Sequence, residues 1–264
     1  MIREAKLAGL YVKHIFTMRS SFRIHSPFVY SIYKYVISDR SSNPDFAHVE
    51  ALRKDLLSKY QFIKKVDLGA GAGNLPLYQR FARVKDIARK SSVSPRKGEL
   101  LYRLVSFFKP VTIVELGTSF GISTMYMALG CRKSHIITME GCHDTALIAI
   151  RNFHRLGLSN IETVTGTFDE KLPEVLDKLG KVDLVFIDGN HKKEATIHYF
   201  DMCLDHMQND TIIVFDDINW SKGMNDAWKN IREHPSVKVS IDLFHLGMVF
   251  FRKELSKEDF ILRF

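Results

Sequence analysis

Cysteine is scarce in this chain. Only Cys131, Cys142 and Cys203 occur, none in a Cys-x-x-Cys spacing. That excludes a disulfide framework and a thiolate zinc site, and it fits a reducing compartment. No apolar run is long enough to span a bilayer, and Met1–Leu10 carries charges where a signal peptide would be apolar, so the expected location is the cytoplasm. No block of five like charges occurs, so a nucleic-acid-binding tail is not indicated, despite a net charge of +8. The basic residues fall in scattered pairs such as Lys64-Lys65, Arg132-Lys133 and Lys192-Lys193, as on a solvated basic surface. Internal repeats and low-complexity segments are missing as well.

What is present is an ordinary globular composition. The chain has 264 residues, 45% of them hydrophobic and 26% charged. This length suits one large α/β domain with an appended segment. The pattern changes near residue 90, dividing the chain into a mostly helical cap over 1–90 and a main domain over 91–264. Residues 2–19 read as a basic helix in which Leu7, Leu10, Ile15 and Phe16 alternate with Arg3, Lys6, Lys13 and Arg19. Such a helix packs on the main domain or lies on an anionic membrane surface. Further helices are expected over 30–37 and 46–60. Asp67–Gly73 is glycine-rich, but position 74 is Asn, and Tyr78–Lys90 is polar and basic with no second strand ending in an acid. A dinucleotide fingerprint is thus incomplete, and a flexible loop is expected there.

From Ser94 the rhythm becomes regular. Ser94-Pro95 opens a helix as N-cap and first helical residue, and Lys109-Pro110 closes it. Strands are expected at 111–116, 134–139, 160–165, 182–187 and 210–216. Helices are expected between them, at 122–130, 143–156, 170–179 and 191–207. Gly157 stands where a left-handed helix cap belongs. This alternation predicts a doubly wound parallel sheet covered on both faces. After a helix at 223–234, Val237–Phe244 and Met248–Arg252 read as a hairpin, which makes the last strand antiparallel.

In such a sheet, ligands bind at the carboxyl ends of the strands. The ends here are Glu115, Glu140-Gly141, Thr165-Gly166-Thr167, Asp188 and Asp216-Asp217. Four of the five carry a carboxylate, more than helix capping explains. After Glu115 come Gly117, Thr118 and Gly121, a turn through which a backbone can pass close to a ligand. The three-glycine pyrophosphate spacing is missing there, which weighs against a nicotinamide cofactor. The carboxylate suits a cationic, amino-acid-like ligand, and S-adenosylmethionine, with its sulfonium and ammonium, fits. Glu140 is placed to accept the two hydroxyls of a ribose.

Asp188, Asp216 and Asp217 form a second group. On neighbouring strands their backbones would lie roughly 4.8 Å apart, and three carboxylates so close call for a cation. All-oxygen donors point to Mg²⁺, Mn²⁺ or Ca²⁺. His191 follows Asp188 by three positions and suits a general base.

Taken together, residues 94–252 resemble the class I S-adenosylmethionine-dependent methyltransferases. Glu115–Thr124 resembles their first motif as found in O-methyltransferases of the catechol and caffeoyl-CoA type. That resemblance implies that Ser123 holds the methionine carboxylate of the donor. Phe186–His191 with Val214–Asp217 is similar to the macrocin- and mycinamicin-type sugar O-methyltransferases. It implies Asp188, Asp216 and Asp217 as Mg²⁺ ligands and His191 as base. Arg23–Phe28 resembles the front of uncharacterised bacterial members, which implies no substrate. Where many relatives have an acid for the adenine amine, this chain has Thr167 and Phe168. The implied reaction is methylation of a hydroxyl on a small-molecule acceptor, with residues 1–90 shaping acceptor choice. A metal-independent N- or O-methyltransferase, a non-catalytic donor-binding or membrane-surface protein, and assembly into a homo-oligomer all remain open at this point.

Overall fold

The computed structural model describes residues 9, 11–12, 14–18, 24–66 and 81–264. The Asp67–Gly73 segment and Arg23 lie outside the described residues. Ser26 caps α1 (Pro27–Ile32), its hydroxyl accepting from the Val29 N–H, and a π turn continues it over Tyr33–Ile37. The chain divides into two compact units, one of Asp39–Val175 and one of Met1–Ser38 with Leu176–Phe264.

The Asp39–Val175 unit begins with α2 (Pro44–Ser58), capped by the Asn43 side chain. A short antiparallel pair follows, β1 (Phe62–Lys64) with β2 (Phe81–Arg83), then α3 (Val84–Ser91). The described part of 78–90 has no strand that ends in an acid, since β2 stops at Arg83. It holds β2 and one amphipathic helix that buries Val84, Ile87 and Ala88. Arg89 and Lys90 sit in that helix's last turn, where the helix dipole favours cations. Ser94 caps α4 (Pro95–Phe108) as expected, and Lys109 ends it in the left-handed conformation. Pro110 disfavours the helical region for the residue before it, so the chain must turn there.

Three parallel strands form the unit's sheet: β3 (Thr112–Leu116), β4 (His135–Glu140) and β5 (Ile161–Thr165), with β4 between the other two. They alternate with α5 (Ile122–Gly130), α6 (His143–Arg155) and α7 (Phe168–Leu179). α2 is tied to this framework by polar contacts. The Tyr126 hydroxyl donates to Glu50 at 2.9 Å, and Arg155 donates to Asp55 at 2.7 Å.

The other unit continues the same alternation with β6 (Val182–Ile187), α8 (Lys193–Leu204), β7 (Met207–Asp216) and α9 (Lys222–Glu233). β6 and β7 are parallel, and β6 and the Ile212–Phe215 part of β7 are nearly continuous apolar runs, as doubly covered strands are. The expected terminal hairpin is β8 (Val239–Asp242) with β9 (Leu246–Phe250), and β9 runs antiparallel to β7. Besides β1 and β2, one more described strand goes beyond the expected seven. β10 (Glu258–Ile261) pairs in parallel with β8, and the Ser240 hydroxyl holds Asp259 at 2.5 Å. The expected doubly wound α/β class with an antiparallel strand near the chain's end is what the structure has.

Candidate active site

The first constellation lies within the Asp39–Val175 unit. β3 ends at Leu116, and the chain then makes a turn with positive φ at Gly117 (107°), Ser119 (47°) and Gly121 (81°). The N–H groups of Gly117 and Thr118 both donate to the Met139 carbonyl at 3.0 Å, which sews the turn to β4. Gly121 must be glycine for two reasons. Its φ is left-handed, and an added Cβ would stand 2.3 Å from the Phe153 ring. α5 starts directly after Gly121 with no side-chain cap. Its first N–H groups are therefore available to an anion such as a carboxylate.

Glu115 lies beneath this turn, 0% exposed. The Ser123 hydroxyl donates to its Oε1 at 2.5 Å, and Thr124 and Thr138 donate to Oε2 at 2.5 and 2.6 Å. Thr138 spends its one proton on Glu115, so the Thr118 hydroxyl, 2.6 Å away, supplies the proton between the two threonines. Burial pushes the Glu115 carboxyl up to about 7, against the pull of its three hydroxyl donors. Glu115, Thr118 and Ser123 thus belong to one hydrogen-bonded network in this structure. Their side chains build the floor of the turn, because a buried carboxylate takes every donor within reach.

Glu140 ends β4 and is only half-buried. Its Oε2 accepts from the Ser119 N–H at 2.8 Å and its Oε1 from the Cys142 N–H at 2.9 Å. These two backbone donors fix the orientation of the carboxylate at the end of β4. Gly141 follows at the surface of the same turn, and the Gly166 N–H donates to the Glu140 carbonyl at 3.1 Å. Thr167 caps α7 by accepting from the Glu170 N–H at 3.3 Å, and Phe168 opens that helix, half-buried. Sequence reasoning missed Ser119, Thr124 and Thr138. Ser119 is further held by Ser91, whose hydroxyl lies 2.6 Å from its own.

The second constellation lies within the other unit. Ile187 of β6 pairs in register with Phe215 of β7, so Asp188 and Asp216 are the next residues on neighbouring parallel strands. Asp216 is buried, and Asp217 turns the chain with φ of 51°. His191 precedes α8 instead of opening it, and its Nε2 stands 3.9 Å from Asp188 Oδ1. Its ring lies 6.3 Å from that of Trp220, centre to centre. Asn190, missed in the sequence, also has positive φ and donates to the Tyr199 hydroxyl at 3.0 Å. Its own side-chain oxygen is buried without a hydrogen-bond partner among the described residues.

The donor chemistry here suits a hard divalent cation. Asp188, Asp216 and Asp217 offer carboxylate oxygens, and the Asn190 oxygen lacks a partner among the described residues. The number does not close, however. Among the described residues, no three His, Cys, Asp or Glu side chains stand as a group that could hold a metal ion.

Comparison with known proteins falls on this same stretch. Residues 114–218 match the family model described as a methyltransferase domain. That stretch of the chain is similar to a methyltransferase domain. That domain match starts inside β3 and ends just past Asp217, so it takes in the glycine turn and every strand-end acid discussed above. A catechol O-methyltransferase of Niastella koreensis is 35% identical over 130 residues, 48% of this chain and 58% of that protein. A catechol O-methyltransferase of Mycobacterium tuberculosis is 30% identical over 129 residues, 48% of this chain and 57% of that protein. The chain thus spans somewhat over half the length of these relatives.

Among solved structures, the S-adenosylhomocysteine-bound methyltransferase of Podospora anserina superposes with a TM-score of 0.60 at 16% identity, covering 89% of this chain and all of that one. The Bacillus cereus O-methyltransferase in complex with S-adenosylhomocysteine gives 0.54 at 21% identity, covering 83% of this chain and 97% of that one. At such identities these two likenesses establish the methyltransferase domain's fold.

Proposed function

We propose that this protein transfers a methyl group from S-adenosylmethionine to a hydroxyl oxygen of a small molecule. One observation carries the reading. The Glu140 carboxylate is held by two backbone N–H groups at the end of β4, in the same unit as the glycine turn and the uncapped start of α5. Glu140 takes the ribose hydroxyls of the donor. The first N–H groups of α5 take its methionine carboxylate, in which Ser123 shares. Gly117, Thr118, Gly121 and Gly141 let the backbone approach, with Glu115 fixing the turn from below. Thr167 and Phe168 border the adenine.

The step itself is an in-line displacement. A bond forms between the acceptor oxygen and the methyl carbon as the carbon–sulfur bond breaks. The electron pair stays on sulfur, which leaves as a neutral thioether. His191, oriented by Asp188, takes the acceptor proton. The protein's main task is alignment, for which about 7–11 kcal/mol of barrier lowering is available.

The fuller form of this reading has a divalent ion, Mg²⁺ first, on Asp188, Asp216 and Asp217. Bound there, it would lower the acceptor hydroxyl's pKa. The matched relatives named for catechol fit an acceptor of catechol-like, sugar or natural-product type, and residues 1–90 shape that choice. A second reading, transfer to oxygen or nitrogen without a metal, is favoured by the missing three-ligand group among the described residues.

The test is incubation of the purified chain with methyl-labelled donor and a fractionated cell extract, with and without EDTA. Label in an oxygen-linked methyl group, lost with EDTA and restored by Mg²⁺, supports the fuller form. Label unaffected by EDTA supports the second reading. No label in any fraction contradicts both.

A further inference from the structure

The helix that includes residues 9, 11–12 and 14–17 treats its two sides differently. One side is docked. The His14 ring is buried, with Nε2 3.4 Å from the Leu262 carbonyl oxygen and Nδ1 3.4 Å from Asp242 Oδ1. His14 and Tyr11, the latter still 47% exposed, both meet the Phe244 ring edge to face, at 5.3 and 4.8 Å between centres. Positions 12, 15 and 16 fall on another stripe of the helix, by the three- and four-residue spacing of its turns. There Val12 is 51% exposed, Ile15 44% and Phe16 85%. Three large apolar side chains on one stripe, left to solvent, mark an interaction surface.

Charge identifies what that surface meets. Residues 1–23 contain Arg3, Lys6, Lys13, Arg19 and Arg23 against a single acid, Glu4. The chain as a whole carries +8. We propose that this stripe docks on the surface of an anionic lipid bilayer. Phe16, Ile15 and Val12 enter the boundary between headgroups and acyl chains, and the net positive charge of the 1–23 sequence favours anionic lipid. Three side chains are far from the roughly 20–30 residues a side of a stable protein interface, which argues against a second protein as the occupant. The contact is peripheral, since among the described residues no helix is long and apolar enough to cross a membrane.

The test is co-sedimentation of the full chain with vesicles of phosphatidylcholine alone, or of equimolar phosphatidylcholine and phosphatidylglycerol. The wild type should bind the anionic vesicles at least tenfold more tightly than the neutral ones. Phe16→Asp should lose at least tenfold of that binding, and the milder pair Val12→Ser with Phe16→Ser a similar amount. All three proteins should melt alike and bind S-adenosylmethionine alike, which separates this proposal from the catalytic one. Equal binding of wild type and variants, or binding to neither vesicle, would overturn it. So would a wild-type dimer that Phe16→Asp converts to monomer, because a second copy would then cover the stripe.

Discussion

The Thr138 hydroxyl of β4 donates to the buried Glu115 carboxylate of β3 at 2.6 Å, directly across the strand pairing that sets these two residues side by side. The contact has a consequence for stability. The Glu115 carboxyl is raised from 4.5 to about 7, chiefly by burial. The folded protein therefore holds a proton that the unfolded chain releases between those values. Stability from this group is complete below about pH 4.5 and is lost as pH rises through about 7, to a total of about 3 kcal/mol.

Glu115→Gln removes that titration. Thermal melts of wild type and variant from pH 5 to pH 8.5 should diverge, with the wild type losing ground to Glu115→Gln as pH rises. Parallel curves would show that Glu115 titrates alike in the folded and unfolded chains.

Two glycines with similar φ make a controlled comparison. Gly121→Ala adds a Cβ 2.3 Å from the Phe153 ring at a φ of 81°. It should cost about 2–4 kcal/mol, from overpacking together with left-handed strain. Gly157→Ala, with φ of 63° and open space around it, meets strain alone and should cost about 1–2 kcal/mol. Urea midpoints at constant slope measure both.

His191→Asn should lower turnover by about 10²–10⁴, the usual contribution of a general base. Its affinity for the donor should stay near that of the wild type, since the Asp188–His191 pair and the Glu140 turn belong to different units. Turnover within threefold of wild type would remove His191 from the reaction.

Much of this was legible in the chain itself. β-branched runs stopping at acids gave the strands and the acids at their ends, and Ser94-Pro95 and Gly157 marked helix ends correctly. What stayed hidden depends on register or on weak local patterns. That Glu115 faces Thr138 follows only once β3 and β4 are aligned residue by residue. β10 is four residues long with two acids, Glu258 and Asp259, and has no apolar alternation to announce it. Three buried side chains, Val84, Ile87 and Ala88, define α3, and they sit among basic residues that hide its apolar face. Asn190 looked like a spacer between Asp188 and His191, because a buried oxygen without a partner is a fact of packing.

The donor site is tested most directly by calorimetric titration of S-adenosylmethionine into the full chain and into Glu140→Ala. We expect saturable one-to-one binding to the wild type. Glu140→Ala should bind about 10–100-fold more weakly, the cost of losing hydrogen bonds to a charged group. Equal affinity in the two proteins, or no binding to the wild type, would contradict the assignment of the glycine turn and Glu140 as the place where the methyl donor sits.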